Sequence, residues 1–174
     1  MDHNDDGDGM RGALRDAKAV RLFIEAGNAT ITIKSLKTGG RFTFKFVRPD
    51  QEPGRMRPIW VRLLNGPDNE ANYVFAGTIF PDDKARLVIS MKSKVAFDAP
   101  SMKALVWFLQ HLYYKDGEGY RECVKLFEQA EIWHEGRCGR CGRKLTVPSS
   151  IATGFGPDCA GVVAHEWRPD LAAA

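Results

Sequence analysis

The sequence predicts an α+β fold, in which a five-stranded, mostly antiparallel sheet is packed by a helix and followed by a cysteine-bearing C-terminal module. Two observations predict it. Between residues 28 and 91, apolar and polar residues alternate in five short runs separated by turn residues, which is typical of strands with one buried face. Between residues 99 and 114, apolar residues recur every three or four positions, which is typical of a helix that covers such a face.

A short helix is expected before the sheet. Apolar residues from Leu14 to Ile24 have helical spacing, and Gly27 follows as a C-terminal cap. The five predicted strands are centred on residues 29–33, 42–46, 59–63, 73–79 and 87–91. Because their connections are short, an antiparallel meander is the simplest topology.

Three of the four cysteines, Cys138, Cys141 and Cys159, fall inside 22 residues. The first two have the C-x-x-C spacing that lets a turn present two thiolates to one metal ion. No basic and then apolar leader opens the sequence, so metal binding explains these cysteines better than disulfides do. We therefore expect a zinc knuckle, and free or redox-active cysteines are the alternative.

A closed structural zinc site needs a fourth ligand. His134 is favoured, because it lies four residues before Cys138 at the end of a predicted strand. His165 and Cys123 remain alternatives, although Cys123 also reads as a small core residue of an amphipathic helix. Gly139 and Gly142 would permit a tight turn whose backbone N–H groups point at the sulfurs.

The run W-H-x-G-x-C-G-x-C-G-R-x-L-T-x-P-x-S-I-x-x-G-x-G-P-x-C, carried by Trp133 to Cys159, resembles a small zinc-binding domain of unknown function. That domain recurs in phage, plasmid and bacterial proteins, in some of them after a β-rich phage-type region. The resemblance is specific over residues 131–161 and implies that the metal ligands are His134, Cys138, Cys141 and Cys159. It implies no activity.

The predicted organisation has five parts: a disordered acidic tail, an α+β sheet domain, a helical connector, a zinc-binding module and a frayed C-terminus. In order, these are residues 1–10, 11–115, 116–129, 130–165 and 166–174. No apolar run approaches the roughly 20 residues that span a bilayer, so we expect a cytoplasmic protein with no membrane partner. Every catalytic template considered lacks parts, so we expect neither an enzyme nor a small-molecule substrate.

Basic residues predict DNA or RNA as the partner. One acid-free cluster lies on the knuckle and comprises Arg137, Arg140, Arg143 and Lys144. A second set, with an aromatic residue, falls on what would be the polar sheet face and comprises Lys34, Arg41, Lys45, Trp60 and Arg62. Basic side chains contact phosphates, and an exposed aromatic ring can stack on an unpaired nucleobase.

The competing interpretation is a protein-binding adaptor or inhibitor, for example of a host defence or replication protein, with a purely structural zinc. Interface hot spots favour aromatic residues. The aromatic residues that could anchor such a partner are Trp60, Tyr73, Phe75 and Trp107. The sequence alone leaves both interpretations open.

Overall fold

The computed structural model describes residues 12–49, 58–80, 86–113 and 119–166. The predicted N-terminal tail and most of the predicted frayed C-terminus lie outside these residues. The described helices are α1 Ala17–Glu25, α2 Pro100–Leu112, α3 Gly119–Gln129, α4 Pro148–Thr153 and α5 Pro157–Glu166. The described strands are β1 Gly12–Leu14, β2 Asn28–Ser35, β3 Arg41–Val47, β4 Ile59–Leu64, β5 Tyr73–Phe80, β6 Arg86–Val88 and β7 Ala130–His134.

The strands form one sheet of seven in the order β1-β7-β2-β3-β4-β5-β6, and every neighbouring pair is antiparallel. The α+β class and the antiparallel sheet are therefore confirmed, and β2 to β6 form the expected meander. The prediction of five strands was wrong. Strand β7, expected only to lead into the knuckle, enters the sheet beside β2, so the sheet includes residues that the sequence assigns to the zinc module.

The first predicted helix begins later than expected, because Leu14 belongs to β1. Helix α1 starts at Ala17, where the Asp16 side chain caps it by accepting a 2.8 Å hydrogen bond from the Ala19 backbone N–H. Gly27 follows the helix with a φ of 118°, a conformation that glycine adopts at little cost. The turn directs the chain into β2.

One face of the sheet and the helices share a single hydrophobic core. Ile31, Phe44 and Val61 are fully buried on β2, β3 and β4, and Leu105 and Phe108 are fully buried on α2. Helix α2 therefore covers the apolar face, as its spacing predicts. The core extends into the C-terminal part of the chain and includes Leu145, Phe155 and Val163.

The other face of the sheet carries the polar residues of the alternating strands. The register places Lys34 opposite Arg41, Lys45 opposite Arg62 and Val47 opposite Trp60. Residues paired across neighbouring strands share a face, and Trp60 and Arg62 are exposed between the buried residues of β4. We call this surface, defined by Lys34, Arg41, Lys45, Trp60 and Arg62, the outer sheet face.

Candidate metal centre and its surroundings

The thiols of Cys138, Cys141 and Cys159 come together in space, with their Sγ atoms within 4.8 Å of one another. Cys138 and Cys141 lie in the turn that follows β7, and Cys159 lies in the first turn of α5. Cys138 is buried, Cys159 is partly buried and Cys141 is exposed. Three sulfur ligands at this separation can hold one metal ion.

Backbone hydrogen bonds hold the turn that carries the first two cysteines. The Gly142 N–H donates to the Cys138 carbonyl at 2.9 Å, and the Cys138 N–H donates to the Arg143 carbonyl at 2.9 Å. A β-bridge between Arg137 and Lys144 closes the hairpin. Gly142 has a φ of 76°, which residues with a side chain rarely adopt. The turn therefore requires glycine at this position.

The environment of Cys138 favours the thiolate. Burial raises the pKa of the Cys138 thiol, but hydrogen bonds from the backbone N–H groups of Cys141, Gly156 and Arg140 outweigh it, and the pKa lies below its usual range. Thiolates are the form that binds metal ions. The expected convergence of N–H groups on a knuckle sulfur is therefore present at Cys138.

Cys159 differs from Cys138. Burial raises its pKa, although a hydrogen bond from the Arg140 side chain acts in the opposite direction. The Arg140 Nη1 atom lies 3.9 Å from the Cys159 Sγ atom. A bound cation would therefore have to stabilise the Cys159 thiolate, and metal binding here would release a proton.

His134 is not among the side chains that converge with the three cysteines. Its Nδ1 atom accepts a 3.0 Å hydrogen bond from the Gly136 N–H, so the proton of the neutral ring is on Nε2. Nε2 donates to the Ile151 carbonyl at 2.6 Å. Both ring nitrogens are engaged in these hydrogen bonds, and the assignment of His134 as the fourth metal ligand stays a prediction.

The His134 ring instead joins the sheet to the C-terminal helices. It is 1% exposed, and its centroid lies 5.2 Å from that of Phe23 on α1. Burial lowers its pKa, which the hydrogen bond to Ile151 only partly offsets, so the ring stays neutral. Gly12 on β1 packs directly against this ring, where a Cβ atom would overlap it. This role of Gly12 was not predicted from the sequence, although a glycine inside a strand is a recognised sign of close packing.

The alternative ligands Cys123 and His165 lie on α3 and α5, respectively. Their side chains fall outside the described part of the structure. Among the side chains that the structure does describe, the metal-ligating group consists of the three cysteines.

The basic residues of the knuckle are exposed, and two of them contact other parts of the protein. Arg137 donates from Nη1 to the Gly142 carbonyl at 3.2 Å, and its Nη2 atom lies 3.7 Å from the Glu70 carboxylate in the β4–β5 loop. Arg140 lies beside Cys159. Arg143 and Lys144 are also exposed.

The outer sheet face combines charge with aromatic rings. The Lys34 Nζ atom lies 3.6 Å from the Glu131 carboxylate, and the Lys45 Nζ atom lies 5.8 Å from the centroid of the Tyr73 ring. Burial, with a smaller contribution from the charge of Glu135, raises the pKa of Tyr73 to about 12. Trp60 is 40% exposed on the same face.

The four aromatic residues considered as protein anchors do not share one surface. Trp60 is on the outer sheet face, whereas Trp107 is on α2, where it packs against His111 with ring centroids 4.6 Å apart. Tyr73 and Phe75 are partly buried on β5 and lie on the same face as Trp60, because the register pairs Tyr73 with Leu64 and Phe75 with Arg62. A single flat docking site would therefore use only some of them.

Residues 129–164 match the model of a Family of unknown function (DUF6011). The matched segment contains β7, the three cysteines and nearly all of α5. It agrees with the resemblance seen in the sequence at the level of a small domain of unknown function that can bind a metal ion. No curated protein and no solved structure matches the chain. No helix in the described residues has the length and hydrophobicity of a membrane span.

Proposed function

We propose that this chain is a small zinc-binding protein of phage or plasmid type that binds single-stranded DNA or RNA across the outer sheet face and the knuckle. The observation that carries the proposal is the register of β3 and β4. It brings Lys45 and Arg62 side by side on the strands that also carry the exposed ring of Trp60.

This surface has the two components that unpaired nucleic acid requires. Arg62 is exposed and can contact a phosphate, while Trp60 can stack on a base. Among the described residues, 40% of Trp60 is exposed, so its ring is accessible to a partner. An unpaired strand fits better than a duplex, because stacking requires the face of a base, which a duplex keeps inside its own stack.

Zinc has a structural part in this proposal. Three clustered sulfur ligands are characteristic of zinc among the common structural metals. A bound ion would fix the hairpin between Arg137 and Lys144. It would thereby hold the exposed basic side chains of the knuckle in one arrangement. Metal analysis of protein purified without chelator tests this point. A zinc content near zero would contradict it.

The nucleic-acid proposal is tested by fluorescence anisotropy with labelled single-stranded oligonucleotides at several salt concentrations. Trp60→Ala should remove one stacking contact worth about 1–3 kcal/mol, which weakens binding by about 5- to 150-fold. Arg62→Ala should reduce the slope of log affinity against log salt by about 0.7, the value for one lost phosphate contact on a single strand.

Two control variants match these changes in chemistry but lie away from the outer sheet face. Lys103→Ala removes an exposed charge from α2, and Phe97→Ala removes an aromatic side chain that is 71% exposed before α2. Both should bind oligonucleotides as the wild type does. Wild-type protein that binds no oligonucleotide at low salt would refute the proposal.

A protein-binding adaptor is the second candidate, and exposed apolar side chains before α2 favour it. Met91 is fully exposed and Phe97 is 71% exposed, and such residues commonly mark contact sites when they cluster. An adaptor would form a salt-tolerant complex with a defined protein. For a partner docked on Met91 and Phe97, Phe97→Ala would weaken that complex and Trp60→Ala would not, which is the reverse of the pattern expected for nucleic acid. A partner docked on Trp60 would be distinguished from nucleic acid by the salt tolerance of its complex.

A further inference from the structure

We propose that a cavity between the end of the β2–β3 hairpin and helix α2 binds a small molecule that has an apolar body and one carboxylate group. The cavity has a volume of about 630 Å³, which is within the range of about 300–1,000 Å³ that is usual for small-molecule sites. It shares no lining residue with the cysteine cluster or the outer sheet face. The inference is therefore independent of the proposed function.

The apolar walls of the cavity come from β2, β3, α2 and β7. They are formed by Ile33, Phe42, Pro100, Ala104, Trp107 and Ala130. The three α2 residues are four and three positions apart, so they lie along one side of the helix. The Leu36 N–H donates to the Gln129 carbonyl at 2.9 Å, which fixes the end of α3 against the hairpin. Because these elements are held by the sheet and the core, the cavity exists before any ligand binds.

The polar residues of the lining can donate hydrogen bonds to a ligand. The Ser35 Oγ atom accepts from the Thr38 N–H at 3.2 Å, and the Thr38 Oγ1 atom accepts from the Gly40 N–H at 3.2 Å. Each hydroxyl therefore keeps its own hydrogen for donation. Lys37 lies in the same turn and, in the part of the chain that the structure describes, forms no ion pair. A ligand group that accepts hydrogen bonds and is negatively charged matches these donors.

The charge of the lining favours a carboxylate over a phosphate. Lys37 is the single charged residue among the described residues that line the cavity, and none of them is acidic. It can balance the one charge of a carboxylate, whereas a phosphate group would bring close to two negative charges. The body of the ligand should be apolar because Phe42 and Trp107 are only partly buried against the core. Covering their remaining apolar surface is favourable.

The test uses the full-length chain and naphthylacetate, with naphthylethanol as a neutral analogue of similar shape. Isothermal titration calorimetry should show saturable binding of naphthylacetate. Naphthylethanol should bind at least about 10-fold more weakly, because it loses the hydrogen bonds that the charged group accepts. Proton–nitrogen NMR spectra should show the largest shifts at the amides of Ser35, Thr38, Ala104 and Trp107.

Three variants separate the charge of the cavity from its apolar walls. Lys37→Gln removes an exposed charge and should weaken naphthylacetate about 3-fold, as expected for a partly exposed ion pair, with no effect on naphthylethanol. Lys92→Gln is the matched control, because Lys92 is exposed and does not line the cavity. It should bind both compounds as the wild type does. Ala104→Phe should fill the cavity and abolish binding of both, and circular dichroism shows whether this variant is folded.

Three results would overturn the inference. Naphthylacetate that shows no saturable binding at millimolar concentration would mean that the cavity is not a binding site for this class of molecule. Equal affinity for naphthylethanol would show an apolar site that does not recognise an anion. Shifts confined to residues outside the cavity would place the ligand on another surface. These three measurements decide the question even if Ala104→Phe does not fold.

Discussion

A methyl group at Gly12 should disrupt the contact between the sheet and the C-terminal helices. In Gly12→Ala the added Cβ atom would overlap the His134 Nε2 atom and lie 2.5 Å from the Ile151 carbonyl oxygen. It would therefore separate the donor and acceptor of a buried 2.6 Å hydrogen bond. Neither atom can move freely, because Ile151 is on α4 and the His134 ring packs against Phe23.

The expected cost has two parts. Overpacking of a tight site costs about 1–3 kcal/mol, and a buried polar group that loses its partner costs about 1–3 kcal/mol. The free energy of unfolding should therefore fall by about 2–6 kcal/mol, and the melting temperature by at least about 4 °C for a chain of this size. Thermal and urea unfolding followed by circular dichroism, in the presence of saturating zinc, measure both quantities.

Gly161→Ala is the matched control. A Cβ atom at Gly161 would meet nothing within 4 Å, and the residue lies inside α5. Alanine there should leave stability unchanged or raise it by about 0.5–1 kcal/mol through its higher helix propensity. If Gly12→Ala unfolds at the same temperature and urea concentration as the wild type, the proposed packing of β1 against His134 is incorrect.

Three further predictions concern the metal, a titrating tyrosine and a helix cap. Cys138→Ser should lose the metal and, with it, on the order of 10 kcal/mol of folding free energy in the module. The metal content should therefore fall, and limited proteolysis should cut beyond residue 134, where β7 ends, while sparing the sheet. Tyr73 has a pKa raised to about 12, so the folded state keeps a proton that the unfolded state releases near pH 10, and this group's contribution to stability should decline as the pH rises from 10 to 12. Ultraviolet titration should detect the high pKa, and Glu135→Gln should lower it toward the usual value. Asp16→Ala removes the side-chain acceptor at the start of α1 and should cost about 1 kcal/mol in urea unfolding, whereas an unchanged midpoint would show that the cap is dispensable.

Local patterns account for what could be predicted about the fold. Strands β2 to β5 and helix α2 were predicted because each has enough residues to display its own period, and their neighbours in the meander are also neighbours in sequence. Strand β1 has three residues, too few to show a period, and it pairs with β7 at the far end of the chain. No local sequence pattern indicates a pairing between such distant segments. The two strands β1 and β7 were therefore not predicted to be part of the sheet.

At the metal site, too, some features could be predicted from local sequence and others could not. The spacing of Cys138 and Cys141 and the glycines before Cys159 were sufficient to predict that the three sulfurs lie close together. Ligand type and turn geometry depend on short stretches of sequence, so they can be predicted locally. The surroundings of the His134 ring were revealed only by the tertiary structure. The sequence around a histidine four residues before the cysteine pair does not reveal whether its ring turns toward the sulfurs or into the core. Here the ring is surrounded by Gly12, Phe23 and Ile151, which are distant from it along the chain. Hydrogen bonding and packing from three separate elements determine which way the ring faces.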